Sequence, residues 1–244
     1  MSALTLHENI TQKLQHNILT NHYPEGKLPN ERELSEEFKV SRSTMKKAID
    51  SLVEDGLLFR KARSGTFVNR LFKKNFADYS HQKEGPIGLT RSFSDRSQKI
   101  DSHILSFEAI LPPEDVRHSL LLSETDFTFH FKRVRIIDDV PVSIETGYIP
   151  IQLFPALSKD IVNESIYQYA SEEMGISLAN SYISIFSEPS TEEDQRELGL
   201  TSNQPVTVTE EIVFTDTGIP FEYTIVRNHY KKFTYTTSAS SKKF

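Results

Sequence analysis

The sequence predicts an α+β protein built from two domains. Near the N-terminus, short amphipathic helical segments precede a basic hairpin, whereas residues after 100 contain long runs of β-branched and aromatic residues with a period of two. The length of 244 residues leaves room for one small and one medium core. We therefore expect a small helical domain followed by an antiparallel sheet with helices.

The first domain is predicted to contain three helices. The first is indicated by four apolar residues at helical spacing, which should pack over the other two helices: Leu6, Ile10, Leu14 and Ile18. Residues 31–38 form a short second helix, because Asn30 can cap it and Glu33 can complete a capping box. Ser41 can cap a third helix, which ends near Gly56.

A basic hairpin follows the third helix. Residues 57–60 and 66–69 are predicted strands around a turn at 61–65, which contains two basic residues and a glycine. Basic residues also crowd the first turns of the third helix, where the helix dipole already favours anions. Cations there suit a phosphate or the O6/N7 edge of guanine. The order of these elements is that of a winged helix-turn-helix and indicates binding to double-stranded DNA.

The charge distribution supports this interpretation. Residues 1–74 carry 13 Lys and Arg against nine Asp and Glu, a net charge of +4, whereas residues 75–244 carry 15 against 25, a net charge of −10. Residues 39–74 alone hold ten basic and three acidic side chains, enough for several phosphate contacts. A chain with a net charge of −6 can therefore still bind DNA through its first domain.

Residues 28–68, LPNERELSEEFKVSRSTMKKAIDSLVEDGLLFRKARSGTFV, resemble the DNA-binding domain of GntR-family bacterial regulators. The usual run in that family is similar to LPSERELAxxxGVSRxTVRxALxxLxxEGLxxRxxGxGTFV. Asn30 replaces a serine, Lys46 replaces an arginine, and Ala62-Arg63 replaces a glycine-centred turn. Lysine is a point charge rather than a fork, which weakens the case for bidentate base reading at position 46.

The DNA contacts predicted from this domain lie in its second and third helices and its hairpin: Arg32, Arg42, Ser43, Thr44, Lys46, Lys61, Arg63 and Gly65. We expect Arg42 and Thr44 to read bases, and Arg32 and the two cations of the hairpin turn to bind phosphates. The alternative for Arg42 is a surface ion pair with Asp50 or Glu54.

Composition predicts the domain boundaries. The DNA-binding domain covers residues 1–72, and a linker covers 73–86, KKNFADYSHQKEGP, which is polar and ends in Gly-Pro. The second domain covers 87–236. The polar tail at 237–244 is predicted to be disordered.

The second domain is predicted as an antiparallel sheet with helices. Six alternating runs indicate strands: 103–111, 127–138, 140–149, 178–187, 205–215 and 219–230. Three segments indicate helices: 113–121, 165–174 and 191–198. Short acidic or glycine-containing turns at 138–139 and 216–218 are expected to close two hairpins.

Two arginines lie on an apolar face of the second predicted strand. Alternation places six side chains together: Phe127, Phe129, Phe131, Arg133, Arg135 and Ile137. Buried guanidinium groups require anions, which internal carboxylates or a ligand phosphate or carboxylate can supply. The residues alone leave two possibilities open, a ligand site and a structural salt bridge to Glu145, Glu210 or Glu211.

The second domain is similar to the UTRA effector domain of the HutC subfamily of GntR regulators, a fold related to chorismate lyase. Five segments carry the resemblance: GLTRSF at 88–93, FKRVRIIDDVPVSIETGYIP at 131–150, SIYQY at 165–169, EPSTEEDQRELGL at 188–200 and GIPFEYT at 218–224. The resemblance implies a chorismate lyase-like sheet that binds a small-molecule effector.

The resemblance also implies which residues bind the effector. In sugar-phosphate-responsive members the matching residues hold the ligand phosphate, and here they are Thr90, Arg133, Arg135, Ser165 and Tyr167. Glu145 and Glu222 would accept hydrogen bonds from sugar hydroxyls. Relatives often have an aromatic residue where this chain has Asn228, which leaves the identity of the sugar open. A non-sugar carboxylate is the alternative effector.

Other features exclude several classes of protein. The chain has no cysteine, and therefore no disulfide or thiolate metal site, and no apolar run long enough for a membrane span. Its eight histidines lack metal-ligand spacing, and there is no nucleophile elbow or phosphate loop. We therefore expect no cofactor, metal or enzymatic activity. Two alternatives remain: an enzyme of chorismate lyase-like fold, with Glu145 and Glu222 as acid and base, and a constitutive architectural DNA-binding protein.

These observations predict a cytoplasmic, homodimeric transcriptional regulator that does not contact a membrane. A single recognition helix reads only a few base pairs, so useful specificity requires two half-sites of a palindromic operator. The exposed apolar surface of the sheet is the expected dimer contact. We expect a repressor that a small anionic metabolite, such as a phosphorylated sugar, releases from DNA.

Overall fold

The computed structural model describes residues 5–70, 73 and 99–236. Contacts divide the described chain into two compact units, one holding residues 5–70 and the other holding 99–234. The predicted α+β class is confirmed, since helices dominate the first unit and an antiparallel sheet with helices forms the second. The predicted tail and all of the predicted linker except Lys73 lie outside the described residues.

In the described part of the first unit, three helices pack around one core: α1, Leu6–Leu19; α2, Glu31–Glu37; and α3, Arg42–Glu54. The core beneath them contains Leu14, Leu34 and Leu52, which are fully buried. Leu6 is 64% exposed, so the prediction that it packs on the other helices was wrong. It is the first residue of α1, and the core cluster begins only one turn later, at Ile10.

The predicted caps of α2 and α3 are present. The Asn30 side chain accepts hydrogen bonds from the backbone N–H groups of Arg32 and Glu33, and Glu33 returns the bond to the Asn30 N–H. Ser41 Oγ accepts from the Thr44 N–H at 3.1 Å. These bonds satisfy N–H groups that would otherwise lack a partner in the first turn. Local sequence therefore determines where both helices begin.

The basic hairpin consists of β1, Leu58–Lys61, and β2, Gly65–Val68, paired antiparallel. Lys61 and Gly65 are cross-strand partners rather than turn residues, which shortens the predicted turn. Arg63 at its tip has a φ of 60°, and the Ser64 N–H donates to the Lys61 carbonyl at 3.0 Å. The hairpin therefore closes through a tight turn that holds Arg63 in the left-handed region.

The second unit is a six-stranded antiparallel sheet with the order β3-β4-β5-β8-β7-β6. Its strands match the six predicted runs: β3, Ile100–Ile110; β4, Thr128–Ile137; β5, Val140–Pro150; β6, Leu178–Pro189; β7, Pro205–Thr215; and β8, Pro220–His229. The β4–β5 turn contains Asp138 and Asp139, both with positive φ, and Gly218 has a φ of 81° in the β7–β8 turn. These turns are the two predicted hairpins.

Within residues 99–236, four helices cover this sheet: α4, Glu114–Ser119; α5, Lys159–Asn163; α6, Ile166–Glu172; and α7, Glu192–Leu198. On one face, Phe131 packs in a cluster with residues of α5 and α6, including Val162 and Ile166. Val134 lies on the other face of the sheet, where it packs in a cluster with Leu198 at the end of α7. The sheet thus separates two cores, and the face toward α5 and α6 also carries Arg133 and Arg135.

Helix α5 was not predicted, and its composition explains why. It has only five residues, including the β-branched Ile161 and Val162, which do not favour a helix. Ser158 caps it, accepting from the Ile161 N–H at 3.4 Å, and Val162 is fully buried against the sheet. Packing therefore holds a segment whose own propensity is weak.

Candidate functional site

The first candidate site is the N-terminal end of α3. Arg42, Ser43 and Lys46 are exposed there, and Thr44 is half-buried. Ser41 Oγ lies 2.8 Å from both Ser43 Oγ and Thr44 Oγ1, so three hydroxyls form one network at this helix end. Hydroxyls and cations at a helix N-terminus can donate to phosphate oxygens and base edges.

One of the two predicted alternative partners of Arg42, Asp50, pairs with another arginine. Asp50 accepts from Arg60 Nη1 at 2.5 Å, and Arg60 Nη2 lies 3.4 Å from Glu31. Within the described chain, Arg42 has no ion pair. Arg60 thus connects β1 with α2 and α3, a role that sequence reasoning missed because its partners are distant in sequence.

The remaining predicted DNA contacts are distributed over α2 and the hairpin. Arg32 Nε lies 3.0 Å from Glu36 in an exposed i,i+4 pair, which contributes little to stability. Lys61 and Arg63 are exposed on the hairpin. Gly65 has a φ of 116°, and a Cβ there would come within 3.3 Å of Lys27 Cε. A glycine at this position therefore allows both the backbone conformation and the close approach of Lys27.

The second candidate site lies on the face of the sheet that α5 and α6 cover. Arg133 on β4 is the cross-strand partner of Glu145 on β5. Arg133 Nε lies 3.0 Å from Glu145 Oε2, and its Nη2 lies 2.8 Å from Oε1, while Nη1 donates to the carbonyl of Val162. The salt bridge to Glu145 that the sequence left open is therefore present, and Arg133 connects two strands with α5.

Arg135 is the most buried cation of this face, with 1% exposure. Its Nη1 donates to Ser102 Oγ on β3 at 2.6 Å. Burial, together with the nearby charge of Arg133, lowers the pKa of Arg135 to about 10. The guanidinium therefore remains charged at neutral pH, and two cations lie within one buried region.

Tyr167 and Glu222 form a second polar pair on the same face. The Tyr167 hydroxyl on α6 donates to Glu222 Oε2 on β8. Burial raises the pKa of Glu222 to about 8, and the neighbouring Glu145 carboxylate contributes in the same direction. Burial also raises the pKa of Tyr167 well above its ordinary value. Both groups are therefore mostly protonated at neutral pH.

The other predicted effector contacts are placed differently. Ser165 caps α6, accepting from the Gln168 N–H at 3.4 Å, and Thr90 lies outside the described residues. Glu210, a possible salt-bridge partner of the arginines from the sequence, instead accepts a hydrogen bond from the Tyr223 hydroxyl. It lies on the opposite face of the sheet from Glu211. The structure therefore brings four of the predicted residues into one cluster, Arg133, Glu145, Tyr167 and Glu222, with Arg135 beside Arg133.

Two sequence profiles of known families match the chain. The UTRA domain profile matches residues 95–234, and the profile described as bacterial regulatory proteins, gntR family, matches residues 6–68. The chain belongs to the GntR family.

Curated relatives agree with this assignment. The HTH-type transcriptional regulator GmuR of Bacillus subtilis is 34% identical over 94% of this chain and 96% of its own length. The HTH-type transcriptional repressor NagR of the same organism is 26% identical over 91% of this chain and 89% of its own length. This GntR-family protein is therefore a DNA-binding transcriptional regulator rather than an enzyme, as the sequence predicted.

Solved structures show the same fold. The crystal structure of the possible transcriptional regulator YydK from Bacillus subtilis superposes with a TM-score of 0.74 at 23% identity, over 97% of this chain and 100% of that one. The effector-binding domain of the Bacillus subtilis trehalose repressor superposes with a TM-score of 0.52 at 29% identity, over 59% of this chain and 99% of that one. No helix of the described part of this GntR-family regulator is long and apolar enough to span a membrane.

Sequence reasoning missed two serines on the effector-domain face of this GntR-family regulator and did not assign Asn228 or Glu211 to the effector site. Strand register places Ser102 and Ser143 opposite Arg135, and Asn228 opposite Ser143. Asn228 donates to the Thr207 carbonyl at 3.1 Å, and Glu211 lies close enough to raise the pKa of Glu222. Alternation within each strand could have placed each residue on a face, but the strand order that brings them together is not encoded locally.

Proposed function

We propose that this regulator is a repressor and that a small anionic metabolite, such as a phosphorylated sugar, releases it from a palindromic operator. The observation that carries the proposal is the cluster on the α5 and α6 face of the sheet, where Arg133 and Arg135 are buried beside Glu145, Tyr167 and Glu222. Guanidinium groups bind phosphate through charge-assisted bonds, and carboxyl and phenol groups suit sugar oxygens. Binding to chromosomal DNA would place the protein in the cytoplasm.

The names of several relatives support a sugar-related effector and repression. One solved relative is a trehalose repressor, and another curated relative is the mannosyl-D-glycerate transport/metabolism system repressor MngR of Escherichia coli. The compound in the second name, mannosyl-D-glycerate, carries a carboxylate group. The same arginines would also bind a non-sugar carboxylate, which remains the alternative class of effector.

We propose that the active form is a homodimer joined through β6. This strand is an edge of the described sheet and exposes four large apolar side chains: Tyr182, Ile183, Ile185 and Phe186. Residues 178–187 carry no charged side chain, although edge strands commonly use charges to prevent pairing. A second copy can pair its β6 antiparallel with this edge about a twofold axis. Sedimentation should show a dimer at micromolar concentration, and Ile185→Lys should shift it toward monomer.

Operator release tests the function directly. DNA fragments selected by the protein from a random pool serve as operators, and affinity is measured by fluorescence anisotropy at fixed salt. The panel contains glucose 6-phosphate, trehalose 6-phosphate, glucosamine 6-phosphate, their unphosphorylated parents and citrate. We expect one phosphorylated sugar to weaken operator binding at least about fivefold, the lower range of allosteric coupling, while its parent has no effect. Release by citrate alone would favour the carboxylate alternative, and tighter binding with a sugar phosphate would contradict repression.

A further inference from the structure

Glu222 occupies an unusual position for an ionisable side chain. It is 1% exposed and lies on β8 next to the fully buried Phe221. Its Oε2 accepts from the Tyr167 hydroxyl, whose ring packs edge-on against the Phe221 ring at 6.4 Å. Its Oε1 is buried and has no hydrogen-bond partner among the described residues. One carboxyl oxygen is thus occupied by the protein, and the other is not.

The groups that face Glu222 oppose a negative charge there. Glu145 on β5 and Glu211 on β7 both interact unfavourably with an ionised Glu222, and Tyr167 on α6 supplies only a neutral donor. Arg133 is a cation that favours ionised Glu222, but its guanidinium already donates to Glu145 and to the Val162 carbonyl. A buried carboxylate without a committed cation is strongly disfavoured, and the neutral acid is the form that fits.

We propose that Glu222 reads the effector as a neutral carboxylic acid, donating an O–H from Oε1 to an oxygen of the metabolite that carries no hydrogen. A ring, glycosidic or carbonyl oxygen has this chemistry, whereas the sequence led us to expect a carboxylate that accepts from sugar hydroxyls. The inference rests on the proposed effector site. It narrows the ligand to one that presents an acceptor opposite Glu222 while Arg133 and Arg135 hold its anionic group.

Unfolding without any effector tests the protonation state. The pKa of Glu222 is higher in the folded protein than in the unfolded chain. Its contribution to the stability of the fold therefore decreases as the pH rises from the unfolded-state pKa to the folded-state pKa of about 8. Wild type should therefore lose at least about 5 °C of melting temperature relative to Glu222→Gln between pH 5 and 8.5. Tyrosine fluorescence can follow the transition, since the chain has nine tyrosines and no tryptophan. Parallel pH profiles for the two proteins would overturn the proposal.

Two further variants make this test specific. Glu108→Gln removes an exposed carboxylate of β3 that lies on the face of the sheet opposite to Glu222. This variant should follow the wild-type profile. Tyr167→Phe removes the hydrogen bond that stabilises ionised Glu222, so the loss of stability should extend to higher pH. A Tyr167→Phe profile shifted to lower pH would contradict the assigned geometry.

The last measurement is the affinity of the protein for the sugar phosphate of the panel that releases the operator. Its dissociation constant for wild type should increase about tenfold between pH 7 and 9, because the donor is lost as Glu222 ionises. In Glu222→Gln the amide cannot ionise, and the ratio of the two constants should fall to about one. A wild-type constant that does not change with pH would overturn donation by Glu222. A panel without any binder would instead defeat the sugar-phosphate function, and the unfolding experiment alone would then decide whether Glu222 is neutral.

Discussion

Arg133 and Glu145 stabilise each other, and neither should tolerate loss of its partner. Burial alone would raise the pKa of Glu145, but the charge and hydrogen bonds of Arg133 hold that pKa below its ordinary value. Arg133→Ala leaves a carboxylate that is only 13% exposed without its cation, so we expect a loss of about 3–5 kcal/mol in urea unfolding. The double variant Arg133→Met/Glu145→Met should recover much of that loss, because it buries no unpaired charge.

This prediction also separates the two roles that the sequence left open for Arg133. If the effector response of Arg133→Ala is lost only together with folding, the structural role is sufficient. Wild-type stability of Arg133→Ala would contradict a stabilising ion pair between Arg133 and Glu145. The double variant, once stable, can be titrated with the effector, and retained affinity would remove Arg133 and Glu145 from the ligand site.

Arg42 and Lys61 should have different effects on DNA binding. Arg42 is exposed at the start of α3 without an ion pair in the described chain, so Arg42→Ala should lose about 1–3 kcal/mol of discrimination between operator and random DNA. Lys61→Ala should weaken both DNAs alike and reduce the salt slope. Gel shifts at two salt concentrations measure both effects. Unchanged discrimination by Arg42→Ala would exclude base reading by this side chain.

At the residue scale, alternation correctly predicted the face of β4 that holds the two arginines. It was wrong for Phe127, which precedes the strand and is 48% exposed. Arg133 and Arg135 are both buried on the face that carries Phe131. The neighbours of these arginines were less predictable. Ser102 lies on β3 and Glu222 on β8, and only the pairing of distant strands brings them to the same face. Local periodicity contains no information about that pairing.

Glycine at position 147 is required by the contact between β4 and β5. Phe131 is its cross-strand partner and is fully buried, and a Cβ on residue 147 would overlap the Phe131 ring. We therefore expect Gly147→Ala to lower the free energy of unfolding by about 1–3 kcal/mol, as overpacking in a core does. Phe131→Leu should cost less in the Gly147→Ala background than in wild type. Equal costs in the two backgrounds would show that the ring is not the obstacle.

At the element scale, long periodic segments were predicted well and short packed ones were not. The six strands of the sheet were predicted because each has eight or more alternating residues, although β3 begins at Ile100 rather than at 103. Helix α5 was missed because a five-residue segment has little propensity of its own. Leu6 was misplaced because helical spacing indicates a shared face but not how far the neighbouring core extends.

The whole molecule combines opposite charges in its two halves. The first 74 residues have a net charge of +4 and the rest have −10, so only the first domain is attracted to DNA. This separation predicts that residues 99–236 make no favourable nonspecific contact with the phosphate backbone. An effector bound to the second domain would therefore change DNA affinity through conformation, or through assembly of the proposed homodimer, rather than through competition for the same surface.

Linkage makes that requirement quantitative. If the effector weakens operator binding by some factor, the operator must weaken effector binding by the same factor, because both describe one coupling free energy. A tenfold release corresponds to about 1.4 kcal/mol, so the effector dissociation constant should be about tenfold higher for the operator-bound protein. Calorimetry on the protein alone and on its operator complex, at one salt concentration and pH, measures this factor independently of the anisotropy assay. Glu108→Gln should retain the same coupling. A metabolite that displaced the operator while binding both forms equally would be acting on the DNA or as a simple salt, and the sheet face would then have no part in release.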